Sequence, residues 1–215
     1  MKKRNPFTAL ELVLVITISA ILLAISLPAF YNLTSGRRLT AAMTAIAANI
    51  SLARAQAVSG NMYVALIFYS EGEAMRLAKV NKGIVNNGTT VVYFSSWLPD
   101  SSWEPLEKGV IIPSGAGNFY VDNGSSTATP VEVTVVDFSD IGGEKSVNTT
   151  QAIIFSPRGR IESVGAVTNP IVLRVAEGTK PPGAGSYVLK KTGDKVNYGK
   201  LTVNPLTCRT EMDYE

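Results

Sequence analysis

"FTALELVLVITISAILLAISLPAF", Phe7 to Phe30, decides how the rest of the chain is read. Almost every position is apolar, and the run is long enough to cross a bilayer, which takes about twenty such residues. Glu11 interrupts it near its start. At the centre of a membrane helix an acidic side chain costs roughly 2.5–3.5 kcal/mol, and less towards the ends. Lys2, Lys3 and Arg4 precede the run. By the positive-inside rule they hold the N-terminus in the cytoplasm and place everything after Phe30 on the far side. A cleaved secretory signal is the plainer alternative, with a shorter apolar core and a small-residue cleavage site. Ser19, Ala20 and Ala24 are small, but the apolar run continues past them. Such a signal also has no use for Glu11.

The 215-residue chain carries 20 basic and 17 acidic residues, so the three leader cations account for its net charge of +3. The remainder is balanced, which does not favour a nucleic-acid surface. Histidine is absent. That removes Ser-His and Cys-His nucleophiles, the HExxH zinc site and histidine proton shuttles. The single cysteine, Cys208, excludes an intrachain disulfide. No glycine-rich phosphate loop, Cys/His cluster or Ser/Lys pair at a known spacing is present. No catalysis, cofactor or metal is therefore expected. Asp137 and Asp140 are too few to claim a calcium site. Trp97 and Trp103 flank "LPDSS" and are expected to anchor that loop to the core, a sugar or partner surface being the alternative.

The apolar run resembles the N-terminal signature of type IV pilins and type II secretion pseudopilins. That family has a short basic leader, a Phe-Thr-Leu-Ile-Glu-Leu-like start and a long apolar helix. Its Glu lies four residues after the first mature Phe, as Glu11 follows Phe7, and its Pro lies twenty-one after, as Pro28 does. The resemblance implies leader cleavage before Phe7 by a prepilin peptidase and N-methylation of Phe7. It implies that Glu11 acts in assembly, pairing with the N-terminal amine of a neighbouring subunit inside a filament. The family's leader normally ends in Gly, whereas Pro6 stands there in this chain. Proline fixes its own φ and pushes Asn5 to an extended conformation. Poor cleavage, cleavage by a variant peptidase and an uncut leader are thus all open. Pro28 removes one helical hydrogen bond and should kink or loosen the helix, either as a flexible point in assembly or as a bend at membrane exit.

After a polar stretch around Gly36, Arg37 and Arg38, helical spacing resumes. Leu39, Met43, Ile46, Ile50, Ala53 and Ala57 step by four and three, which is an amphipathic stripe. Gly60-Asn61 is a C-cap signal. One helix is expected from Phe7 to about Ser59, weakened at Pro28 and Gly36. "ISLARAQAVSGNMYVALIFY" (Ile50 to Tyr69) resembles the GspH/FimT group of minor pseudopilins, in which an Ala-Arg-x-x-Ala-like helix end leads into a strand. Arg54 fits that run, and a solvated helix residue is the other reading.

Strands are expected at Tyr63–Tyr69, Met75–Val80, Val91–Ser95, Val110–Ile112, Phe119–Val121, Val131–Phe138, Ala152–Phe155, Ile171–Ala176, Tyr187–Lys190 and Lys200–Val203. "IIFSPRGRI" (Ile153 to Ile161) reads as a hairpin turning at Pro157-Arg158-Gly159. The similar Phe-x-Pro-x-Gly turn of GspH-like domains supports the same group. "GKLTVNPLTCRTEMDYE" reads as a second hairpin around Asn204-Pro205, with Cys208 where a turn glycine is expected. It resembles the ending of the Verru_Chthon cassette D proteins, themselves of prepilin type.

The fold class is α+β, with a long N-terminal helix, transmembrane in its first half and amphipathic in its second, packed on a mainly antiparallel β domain. The segments are a basic leader (1–6), a transmembrane or filament-core helix (7–30), an amphipathic helix (31–60) and a β-rich domain (61–215). The resemblance implies a structural filament subunit of a bacterial inner membrane, with a cytoplasmic N-terminus and a periplasmic domain. Its partners would be other pilins or pseudopilins, the prepilin peptidase and the inner-membrane assembly platform. A membrane-tethered tip module that binds DNA is the second reading, with Arg158, Arg160, Lys190 and Lys191 in its basic face. Interspersed acidic residues dilute that face.

Overall fold

Leu39, Met43, Ile46, Ile50, Ala53 and Ala57 are all buried, as their spacing requires. They lie on helix α1 (Ala9–Ser59), whose helical turns continue through Pro28 and Gly36. The computed structural model describes residues 9–69, 73–84, 90–113, 119–121, 129–130, 147–162, 169–179, 187–192 and 194–214. The chain splits into two units at Arg37/Arg38, the first holding the apolar part of α1 and the second its buried stripe and the β domain.

The helix ends in a Schellman cap. Met62 N donates to Ala57 O at 3.1 Å and Asn61 N to Val58 O at 3.3 Å. Asn61 supplies the left-handed residue, with φ of 46°. Asparagine tolerates that conformation better than most residues. The chain thereby turns sharply into the first strand.

Fifteen strands follow among the described residues. They are β1 (Tyr63–Tyr69), β2 (Ala74–Ile84), β3 (Thr90–Trp97), β4 (Glu104–Pro105), β5 (Val110–Ile111), β6 (Phe119–Val121), β7 (Thr129–Pro130) and β8 (Val147–Phe155), then β9 (Ile161–Glu162), β10 (Ile171–Thr179), β11 (Val188–Leu189), β12 (Lys191–Thr192), β13 (Lys195–Val196), β14 (Tyr198–Val203) and β15 (Thr210–Tyr214). The first sheet runs β3-β2-β1-β8-β9, with β4 on β2. The second runs β15-β14-β10-β6-β7, with β5 and β11 also on β10. Strands β12 and β13 form a separate ribbon. Every pairing is antiparallel. The expected strand Val131–Phe138 lies outside the described residues.

The helix stripe and strands of both sheets share one core. In β1, Val64 to Phe68 are buried at five consecutive positions, so both strand faces are covered. Strand β14 instead buries alternate residues, Gly199, Leu201 and Val203, as a half-covered antiparallel strand does. Gly199 lets helix and sheet approach closely, since a Cβ there would sit 2.8 Å from Met43 Sδ. Asn49, on the buried side of α1, donates to Glu104 Oε2 at 2.8 Å and so ties β4 to the helix.

Both expected hairpins form. In the first, Gly159 N donates to Ser156 O at 2.9 Å and Ser156 N to Arg160 O at 2.8 Å. Gly159 closes the turn at φ of 72°. A Cβ on it would lie 3.1 Å from both Arg54 Nε and Val58 Cγ2. Gly159→Ala should therefore destabilise the protein by about 1–3 kcal/mol, combining left-handed strain with crowding. Urea unfolding at unchanged m-value measures this, and a midpoint equal to wild type would show that the turn relaxes freely.

Candidate functional site

The first unit offers a surface that water does not suit. Ala9–Ser26 has a mean hydropathy of 2.5 and none of it is buried. Leu10, Val13, Ile16, Leu22 and Ile25 are all exposed. It is the one helix among the described residues long and apolar enough to cross a membrane, and a signal sequence meets the same test. In hydrocarbon, polar groups need partners within the protein. Thr17 and Ser26 meet that demand locally, their hydroxyls donating to Val13 O at 2.8 Å and Leu22 O at 2.7 Å.

Glu11 is the sole charged residue of this segment and stands in the first turn of α1. Its carboxylate is exposed there, near the amide-rich, positive end of the helix dipole. Pro6 and Phe7 lie outside the described residues. Pro28 lies within the helix, which it does not terminate.

The four basic residues assigned to a nucleic-acid face divide into two groups. Arg158 and Arg160 are exposed on the β8–β9 turn. That turn sits by Pro205, because Ile161 N donates to Pro205 O at 2.8 Å. Pro205 lies two residues after Val203, which pairs with Ile171 at the start of β10. Lys190 lies by the other end of β10, its backbone N donating to Glu177 O and its ammonium 2.9 Å from Glu177 Oε2. Lys191 is exposed beside it. From Ile171 to Glu177 is six residues, or about 20 Å of extended strand. The charges thus form no single patch, and Glu177 offsets one of them.

Arg54 has a structural role that its sequence position left open. Its Nη1 donates to Thr207 O at 2.8 Å, in the β14–β15 turn, while its stem lies beneath Gly159 of the β8–β9 turn. One helix side chain therefore touches turns from both sheets. Cys208 completes this junction at φ of 57°, in the left-handed conformation that glycine usually fills. Its thiol is buried and donates to Gly159 O at 3.4 Å. Burial pushes the thiol pKa up, partly countered by the Arg54 charge, so it is a poor nucleophile near neutral pH.

Trp97 and Trp103 pack edge to face with centroids 5.5 Å apart, and Arg76 stacks 4.2 Å over Trp97. Both rings lie against the core, as expected of loop anchors. No group of three metal-ligating side chains occurs among the described residues. Asp137 and Asp140 lie outside them.

Comparison with protein-family models, with curated proteins and with solved structures finds no match.

Proposed function

We propose that this chain is a minor pilin or pseudopilin, a structural subunit of a type IV pilus-like or type II secretion filament assembled from the bacterial inner membrane. The observation that carries this reading is an uncovered apolar segment, Ala9–Ser26, charged only by a first-turn glutamate, on a helix whose later turns form the buried spine of a β domain. The basic leader and the Phe7, Glu11 and Pro28 spacing support the same reading. In it, neighbouring subunits cover the apolar helix, and Glu11 meets the amine of Phe7 in another copy. The β domain then faces the periplasm or the filament exterior. Its partners are other pilins, the prepilin peptidase and the assembly platform. The split of the basic residues between the ends of β10 lends no support to a DNA-binding tip.

Processing provides the test. Intact-mass measurement on membrane-extracted protein should show loss of residues 1–6 and gain of one methyl group on Phe7. A mature chain beginning after Ala24 would mean removal of the apolar helix as a signal, and would sink the reading. Filaments containing uncut chains would show that leader removal is dispensable with Pro6 at the junction.

A further inference from the structure

We propose that a cleft at the C-terminal end of α1 binds a hydroxylated carboxylate, the chemistry of an acidic sugar. The cleft measures about 390 Å³ and is lined by Asn61, Tyr63, Ser156, Pro157, Arg158 and Glu162. That volume suits a small ligand, at the lower end of the roughly 300–1,000 Å³ of binding pockets.

The backbone of its walls is fixed before any ligand arrives. Asn61 is held by the Schellman cap and Tyr63 opens β1. The Ser156 amide and hydroxyl both donate to Arg160 O, at 2.8 and 3.1 Å, so the turn carrying Arg158 is closed twice. A site built from such elements loses little freedom on binding.

The charge pattern selects the ligand. The Glu162 carboxylate is matched by Lys82, with Nζ to Oε2 at 2.8 Å. That bond, outweighing partial burial, holds Lys82 above the ordinary lysine range. The Arg158 guanidinium has no ion pair or side-chain hydrogen bond among the described residues, so the cleft keeps one uncompensated positive charge. A guanidinium offers a planar fork that matches a carboxylate in two parallel bonds. The rest of the lining discriminates further. Glu162 can only accept hydrogen bonds, whereas the Asn61 amide and the Tyr63 hydroxyl can both donate and accept. Inorganic phosphate matches the Arg158 fork but brings only one or two hydroxyl donors for the Glu162 side, whereas a sugar acid brings several. Hydroxyl groups beside a carboxylate satisfy both halves of the lining. Nothing in this inference depends on the filament reading.

The test is isothermal titration of the full-length protein in detergent micelles with galacturonate, galactose and inorganic phosphate. Galacturonate should bind saturably, with galactose and phosphate each weaker by about tenfold or more. Arg158→Gln should weaken galacturonate by about tenfold or more, the loss carried by one charge-assisted hydrogen bond. Tyr63→Phe, which keeps the ring and removes the hydroxyl, should weaken it several-fold. Lys191→Gln, an exposed cation by the other end of β10, should leave it unchanged. Unaltered melting of Arg158→Gln would place its loss in the cleft rather than in the fold. Absence of saturable galacturonate binding, equal affinity for phosphate, or indifference to Arg158→Gln overturns the proposal.

Discussion

Glu11→Ala should leave at least as much protein in the membrane as wild type, yet reduce its incorporation into filaments by about tenfold or more. Insertion should hold or improve because a costly carboxylate leaves the apolar segment. On the proposed filament reading, assembly should fall because the amine of a neighbouring Phe7 loses its partner. Breaking a buried ion pair costs about 3–5 kcal/mol, and about 1.4 kcal/mol already corresponds to tenfold. Glu11→Gln should behave alike, since it keeps shape and hydrogen bonding without charge. Sheared filaments or cross-linked multimers, quantified against total membrane-bound protein, give the ratio. Normal assembly of both variants would make Glu11 a tolerated first-turn carboxylate, favoured by the helix dipole alone. Loss of the protein from the membrane would instead assign Glu11 to insertion or stability.

Ile50→Ala should lower stability by about 2–5 kcal/mol, while Leu52→Ala should change it by no more than about 0.5 kcal/mol. The two residues are separated by one position, but Ile50 is fully buried and Leu52 is 48% exposed. For a domain of this size the Ile50 substitution corresponds to about 4–20 °C in melting temperature. Thermal unfolding of the two variants side by side measures the difference. Similar losses would mean that the helix presents a different face to the sheets. This outcome depends on the second unit alone, so it holds whatever the apolar segment does.

The elements that periodicity announces were legible in the sequence. The four-three stripe of α1 is buried at every expected position, and β1 spans the residues expected of it. The Gly60-Asn61 stop is also correct in place, although Asn61 rather than Gly60 takes the left-handed conformation. Cys208 does occupy a glycine-like turn position. Strand β2 reaches Ile84 rather than Val80 because pairing with β3 extends a polar stretch that shows no alternation. Strand β15 exposes most of its length and is defined by its ladder with β14, so no apolar pattern marks it. Two-residue strands such as β4 and β12 are too short for any period. Within the candidate site, the apolar segment and Glu11 are local features and were readable. The separation of Arg158 from Lys190, and the grip of Arg54 on two turns, arise from contacts far apart in sequence.

The placement of β8 beside β1 sets a limit on the order of folding. Strand β2 can zip onto β1 as soon as it is made, being the next strand along. The opposite edge of β1 must wait for Val147–Phe155, more than seventy residues later. Until then a wholly apolar central strand presents one row of unpaired amides and carbonyls, the feature that most readily recruits a wrong partner. A chain cut anywhere between Tyr69 and Val147 keeps that strand and lacks its mate. The growing polypeptide is therefore most vulnerable across its middle third, and its safety during synthesis rests on the arrival of β8.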